Sequence, residues 1–183
     1  MGGIIETNRL LLRPLEMNDA PAIAAKIDNY EISKNLARVP YPYHRSDAEE
    51  FIDWALQHDQ RSAFRVISLK TEPDTLAGLI SYDWMEERQK AELGYWLVQQ
   101  HWGKGLMTEA AQAMVELAFM TSGLDSLSSC YFNENPASGK VLARAGFAIT
   151  GTCLQFSKSR SEEVPVTTVT LTRESWLNKK AAV

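Results

Sequence analysis

The stretch best suited to chemistry is Gly103-Lys104-Gly105. It stands between an apolar, strand-like run from Leu93 to Val98 and a helical pattern that starts at Leu106. A strand that passes through a glycine-rich turn into a helix presents the first, unpaired helical N–H groups outward, and the helix dipole adds partial positive charge there. Gly103 and Gly105 let the backbone turn sharply and approach a ligand, and Lys104 adds a cation. The pattern asks for a phosphorylated compound. It is not a Walker loop, because Gly105 rather than Ser or Thr follows Lys104. It also departs from the dinucleotide fingerprint, because Thr108 stands where the third glycine belongs. Two further positions offer reactive groups. In Asn135-Pro136-Ala137-Ser138 the asparagine can cap a helix with proline at its first position, which leaves the Ser138 hydroxyl at the helix mouth. Glu92 precedes the turn, and period-two alternation puts it on the face shared by Gly94 and Trp96.

Gln100-x-x-Gly103-x-Gly105 matches the Q/R-x-x-G-x-G/A signature of the GNAT acetyltransferase superfamily. The wider string, from Glu92-x-Gly94-Tyr95-Trp96 through Trp102 to Thr108-Glu109-Ala110, resembles its Rim-type branch, which acetylates protein N-termini. The resemblance implies transfer of acetyl from acetyl-CoA to a primary amine in a direct ternary complex. It assigns the diphosphate to Gly103, Lys104, Gly105, Leu106, Met107 and Thr108, with Gln100 ordering the turn. Backbone N–H groups at Leu97 and Val98 are expected to bind the pantetheine amide and polarise the thioester carbonyl. The family's N-x-x-S element gives Asn135 a contact with the pantetheine arm and Ser138 a hydrogen bond to the CoA sulfur. Glu92 is the expected base, through water, and Tyr131 is a second candidate acid whose other role is core packing. Tyr41, Tyr43, Trp84 and Tyr95 are expected to line the acceptor pocket. The last strand carries threonines and valines where the branch often has Asp or His and Tyr, so the acceptor stays open. A protein N-terminus, ribosomal proteins included, comes first. A small-molecule amine and a non-catalytic CoA-binding module are the alternatives.

The elements that must position these groups follow from local patterns. Arg9 to Arg13 reads as a strand closed by Pro14, and Asn18-Asp19 as the cap of a helix with Pro21 in its first turn. Ser33 to Arg45 is too proline-rich for a helix, and Ser46-Asp47-Ala48-Glu49 reads as a capping box. Strands are expected over 64–69, 76–84 and 90–98, with a charged hairpin around Glu86-Glu87-Arg88. A helix over 106–120, a strand over 127–132, a helix over 137–145 ended by Gly146, and strands over 147–156 and 164–172 complete the order. That order matches the family fold: α/β (α+β), one mixed, mostly antiparallel twisted sheet flanked by helices, whose strands 90–98 and 127–132 splay apart to admit acetyl-CoA.

Length and composition bound the rest. At 183 residues the chain suits a single domain over 1–183, with a core that needs no disulfide. A formal net charge of −4 argues against a nucleic-acid backbone as partner. Cys130 and Cys153 show no C-x-x-C, and His44, His58 and His101 show no ligand spacing, so no metal is expected and a reducing, cytoplasmic setting is. No run reaches the roughly 18 apolar residues of a membrane helix. Glu6 occupies the Ser/Thr position that myristoylation of Gly2 needs. A monomer or homodimer is expected.

Overall fold

The computed structural model describes residues 3–58, 61–85 and 90–181. Its strands are β1 (Ile5–Glu6), β2 (Leu10–Pro14), β3 (Ala63–Leu69), β4 (Gly78–Met85), β5 (Lys90–Leu97), β6 (Ser126–Phe132), β7 (Ala148–Ser157) and β8 (Glu162–Thr172). The α-helices are α1 (Ala20–Ile27), α2 (Tyr30–Ser33), α3 (Arg45–Gln57), α4 (Leu106–Thr121), α5 (Pro136–Ala145) and α6 (Arg173–Ala181). The strands form one sheet in the order β1-β2-β3-β4-β5-β6-β8-β7. Every neighbouring pair is antiparallel except β5 and β6.

That parallel pair is short. It runs from Lys90 opposite Ser126 to Glu92 opposite Ser128. Beyond it β5 continues to Leu97 alongside β4, while β6 continues to Phe132 alongside β8, so the sheet opens into a wedge. The Ser129 hydroxyl donates to the Leu93 carbonyl at 2.8 Å near the apex.

Both faces of the central strands are buried, which is why β3 is buried continuously from Ala63 to Ser68, Arg65 included, rather than at alternate positions. On one face Leu10, Ile67, Ile80, Leu93 and Leu127 pack against Met114 and Phe119 of α4 and Leu142 of α5. On the other, Val66, Leu79 and Trp96 pack against Ile23 and Ile27 of α1 and Ile52 of α3. Glu92, Gly94 and Trp96 thus share a face, as period-two alternation requires.

Several boundaries differ from expectation. β1, α2 and α6 are additional elements. α6 buries only Trp176 among its residues, packed 5.3 Å from the Phe119 ring, so its periodic signal is faint. α3 begins at Arg45 rather than after Ser46, because the His44 N–H donates to the Asp47 carboxylate at 2.7 Å. Asp19 stands at the head of α1 but does not cap it. Its carboxylate takes both Arg13 Nη groups, at 2.8 and 2.5 Å, and the Glu16 N–H at 2.9 Å. The expected hairpin around Glu86 lies outside the described residues.

Asp19 is 6% exposed, and its fork joins the end of β2 to the start of α1. Removing one partner of such a pair strands the other. Asp19→Ala is therefore expected to cost about 2–3 kcal/mol in chemical denaturation, reduced from the fully buried case because Arg13 can still reach water.

Candidate active site

The turn after β5 is built by contacts that span the chain. The Trp102 indole N–H donates to the Leu97 carbonyl at 2.7 Å and folds the turn back on the strand end. Gly103 and Gly105 have φ of +73° and +74°, a left-handed conformation that costs a residue with a Cβ roughly 1 kcal/mol or more, and Gly105 is the N-cap of α4. Arg9 clamps the turn from β2's side. Its Nε meets Glu109 Oε2 at 2.7 Å and its Nη1 donates to the Lys104 carbonyl at 2.9 Å, while Thr7 Oγ1 donates to Glu109 Oε1 at 2.6 Å. Burial works against the charge on Glu109, but the hydrogen bonds from Thr7 and Arg9 outweigh it and hold the carboxyl below the usual range. Arg9 and Thr7 lie a whole domain away in sequence, and no local pattern could have linked them to the turn.

The wedge holds a cavity of about 480 Å³. Of the residues expected to hold the cofactor, Leu97, Gly103, Gly105, Leu106, Met107, Thr108, Asn135 and Ser138 line it, whereas Val98, Gln100 and Lys104 do not. Val98 requires correction as a donor: its N–H is spent on the Ala77 carbonyl at 2.8 Å. By the alternation of an antiparallel ladder, it is the amides of Tyr95 and Leu97 that turn away from β4 toward the gap. Gln100 places its amide 3.2 Å from His101 Nε2. His101 is itself 6% exposed and lines the cavity; burial, and then Lys104, lower its pKa and keep it neutral. Lys140 and Arg144, an i, i+4 pair on α5, bring two cations to the same cavity. Their spacing was readable, but without the fold nothing said which way that helix face looks.

α5 is shaped as its sequence requires. The Asn135 side chain accepts from the Ser138 N–H, Pro136 fills the first position, and Gly146 ends the helix at φ +108°. Two tyrosines from opposite sides of the wedge meet its first turn. Tyr95 of β5 places its hydroxyl 2.8 Å from Ser138 Oγ. Tyr131 of β6 presses its ring on Gly139, where a Cβ would lie 2.8 Å from the ring. That close approach explains a glycine inside a helix.

A second cavity of about 200 Å³ lies toward the apex, and Asn35 touches both. Glu92 and Asp83, opposed across β5 and β4, line it. Glu92 is paired with Arg38, and Asp83 Oδ1 lies 2.9 Å from His58 Nε2. Phe51, Trp54 and Phe64 form an aromatic wall. Segment 33–38 is held over the cleft by the β7–β8 turn: the Lys158 N–H donates to the Ala37 carbonyl, the Ser159 hydroxyl to Ser33 and Arg160 Nε to Lys34, at 2.9–3.0 Å. Cys130 also lines this cavity; burial and then Glu92 push its thiol up to about 11, which leaves it a poor nucleophile.

The expected acceptor aromatics fall elsewhere. Tyr41 is exposed and tilts against Tyr30. Tyr43 is buried among α1 and α3, where burial pushes its hydroxyl up to about 12. Trp84 is core, under the Arg61 guanidinium. Tyr95 lines the larger cavity, not the smaller. Tyr41 and Tyr43 were expected there because the resembled family places part of its acceptor wall at that loop, and Trp84 and Tyr95 because their strands flank the cleft; exposure, core packing and strand alternation put them elsewhere. Tyr131 does line the smaller cavity. Among the described residues no group of three or more His, Cys, Asp or Glu side chains could hold a metal, and no helix is long and apolar enough to cross a membrane.

Comparison with known proteins agrees with this geometry. The family model described as an acetyltransferase (GNAT) domain matches residues 9–148. The uncharacterized N-acetyltransferase YoaA of Bacillus subtilis is 26% identical over 162 residues, covering 84% of this chain and 87% of its own. The ribosomal-protein-serine acetyltransferase of Escherichia coli is 36% identical over 83 residues, 45% of this chain and 46% of that protein. Among solved structures, spermidine N-acetyltransferase from Vibrio cholerae, in complex with CoA and spermine, superposes with a TM-score of 0.79 at 22% identity, covering 94% of this chain and 100% of that one.

The Tyr131–Gly139 contact makes one substitution informative. Alanine is the better helix former by about 1 kcal/mol. In Gly139→Ala, however, the new Cβ meets an aromatic ring, and overpacking of this kind costs roughly 1–3 kcal/mol. The variant is expected to lose about 1 kcal/mol in thermal or chemical denaturation. A variant more stable than the parent would mean that the ring swings aside freely.

Proposed function

The chain belongs to the GNAT acetyltransferase family, and we propose that it is an acetyl-CoA-dependent N-acetyltransferase of the Rim-type branch whose acceptor is the α-amino group of a protein or peptide N-terminus. The observation that carries this reading is the wedge between β5 and β6, which joins an anion-binding helix mouth to a small carboxylate-lined cavity.

The residues present suit acetyl-CoA, which when bound supplies an acetyl group on a good leaving thiol. The amides of Leu106, Met107 and Thr108 at the mouth of α4 would hold the diphosphate, with Lys140 and Arg144 adding positive charge. The amides of Tyr95 and Leu97 would hold the pantetheine arm and polarise the carbonyl; one such donor is worth on the order of 3 kcal/mol in acyl transfer. Ser138 would face the departing sulfur, and Glu92 would take the proton of the amine through water.

The α-amine is favoured by the state of that base. Glu92 does not stand free to meet the amine: its carboxylate is engaged by Arg38, so an acceptor that asks little of a base suits it best. An α-amino group, with pKa about 8, loses its proton near pH 7.5 at a cost under about 1 kcal/mol, whereas a lysine amine, near 10.4, costs about 4 kcal/mol. The ribosomal-protein-serine acetyltransferase among the relatives points the same way. A second reading, a small free amine, is favoured by one observation: the acceptor cavity holds only about 200 Å³ beneath the strap at 33–38.

Release of free thiol from acetyl-CoA, assayed with short peptides bearing free N-termini beside amino acids, polyamines and aminoglycosides, separates the two. Turnover with peptides is expected; turnover with small amines alone would transfer the protein to the second reading, and CoA binding without any turnover would make it a sensor. In the active pairing, Glu92→Gln should lower kcat by about 100-fold; an unchanged kcat takes Glu92 out of the mechanism.

A further inference from the structure

Ser138 is held by a partner that the assignment of the leaving-group role does not explain. Its backbone N–H is occupied at the cap, donating to Asn135. Its hydroxyl lies 2.8 Å from the Tyr95 hydroxyl, whose other neighbour, the Ser138 carbonyl oxygen, is at 3.3 Å. Serine hydroxyls in helices commonly turn back to a carbonyl of the preceding turn. Here the hydroxyl faces a phenol from another element, and both residues line the cavity that the thioester would occupy. The half-buried Tyr95 directs its O–H to a protein partner, and the shorter, better-placed acceptor is Ser138 Oγ.

We propose that Tyr95 is a positioning residue for acetyl transfer: its hydroxyl donates to Ser138 Oγ and so leaves the serine's own hydrogen to point at the departing sulfur. The proposal rests on the acetyl-CoA reading above. Burial holds the Tyr95 hydroxyl far above its ordinary pKa, so the phenol keeps its proton across any working pH. It acts as a donor and does not itself titrate. The bookkeeping of the step is simple. The amine nitrogen forms the C–N bond as the C–S bond breaks, and the C–S electron pair leaves on sulfur. The Ser138 O–H hydrogen-bonds that sulfur, and the proton lost by nitrogen goes to Glu92 or water. Tyr95 neither gains nor loses a proton. Because Tyr95 sits on β5, the bond also fixes the serine relative to the strand whose amides hold the carbonyl, across a gap the sheet does not bridge.

The test reads CoA itself. If Ser138 presents its hydrogen to sulfur, bound CoA ionises below the free-thiol pKa of about 8.5, and CoA binding tightens between pH 7 and 9 by up to about 10-fold. Desulfo-CoA, which lacks the thiol, gives the background. Calorimetric titration is expected to show this tightening in the parent protein and its loss in both Tyr95→Phe and Ser138→Ala. In turnover, Tyr95→Phe should lower kcat roughly 10-fold with KM for acetyl-CoA within about twofold, and should add nothing in the Ser138→Ala background. A parent profile identical for CoA and desulfo-CoA, or a Tyr95→Phe protein that titrates like the parent, overturns the proposal. So does a Tyr95→Phe loss of equal size in both backgrounds, which is what simple packing predicts. The proposed function fails differently: thiol release would be confined to small amines, or absent with every amine, while the pH-dependent CoA titration remained.

Discussion

The site depends on where two parallel strands stop pairing. β5 and β6 keep register only from Lys90 to Glu92, then follow different neighbours, β4 on one side and β8 on the other. A parallel pair needs a crossover, and α4 supplies it; its N-terminus therefore begins at the carboxyl end of β5, where open α/β sheets bind ligands. The same parting leaves the inner edge of β5 with amides that no strand satisfies, which is unfavourable unless something else pairs them. An extended ligand with its own amides suits such an edge. The binding surface and the defect in the sheet are one feature. What keeps the wedge from closing or drifting is α5, caught between Tyr95 from one strand and Tyr131 from the other.

Charge around the helix mouth is arranged to the same end. Glu109 in the first turn of α4 favours the helix dipole but would repel an anion bound there. Its carboxylate is turned onto Arg9 and Thr7 and is neutralised within the fold. That same arginine holds the Lys104 carbonyl, so one guanidinium removes a competing charge and fixes the glycine turn. Cations remain on the cavity side at Lys140 and Arg144. The local field is positive where a diphosphate would lie, although the chain as a whole carries a net charge of −4.

How much of this was legible follows from the range of the interactions. The turn, the N-terminus of α4, the capped helix with Ser138 and the face of Glu92 rest on contacts within a few residues, and pattern and propensity report such contacts. The Val98 donor was misread because strand parity in hydrogen bonding depends on register with β4, which one strand cannot reveal. Arg9, Arg38, Lys140 and Arg144 were missed because each meets the site only through tertiary structure. The aromatics misled in a regular way. Tyr43, expected at the acceptor wall by resemblance, and Trp84, on a strand flanking the cleft, are large rings, and the area such rings bury draws them into the two cores. Of the four aromatics expected at the acceptor, Tyr95 alone lines either cavity, on a side that alternation could have indicated.

The acceptor cavity is best understood through the opposed pair Asp83 and Glu92. Like charges facing each other across an antiparallel pair are unfavourable, and here each is met by its own basic side chain, His58 and Arg38. Such partly exposed pairs contribute little to stability, so packing alone gives small reason to keep two carboxylates here. The arrangement is reasonable if an ammonium group is to be drawn in. An approaching amine competes with Arg38 for Glu92, and Arg38, two-thirds exposed, loses little on moving into water. Under the proposed function the carboxylate would attract the cationic form and then take its proton, with the guanidinium nearby to pair the carboxylate again. A base of this kind selects by pKa as well as by shape, since each added unit in the amine raises the cost of the reactive form by about 1.4 kcal/mol. Under the proposed function, the ion pair at the mouth of the cavity is therefore part of the specificity, tuning the site to amines that are already nearly neutral.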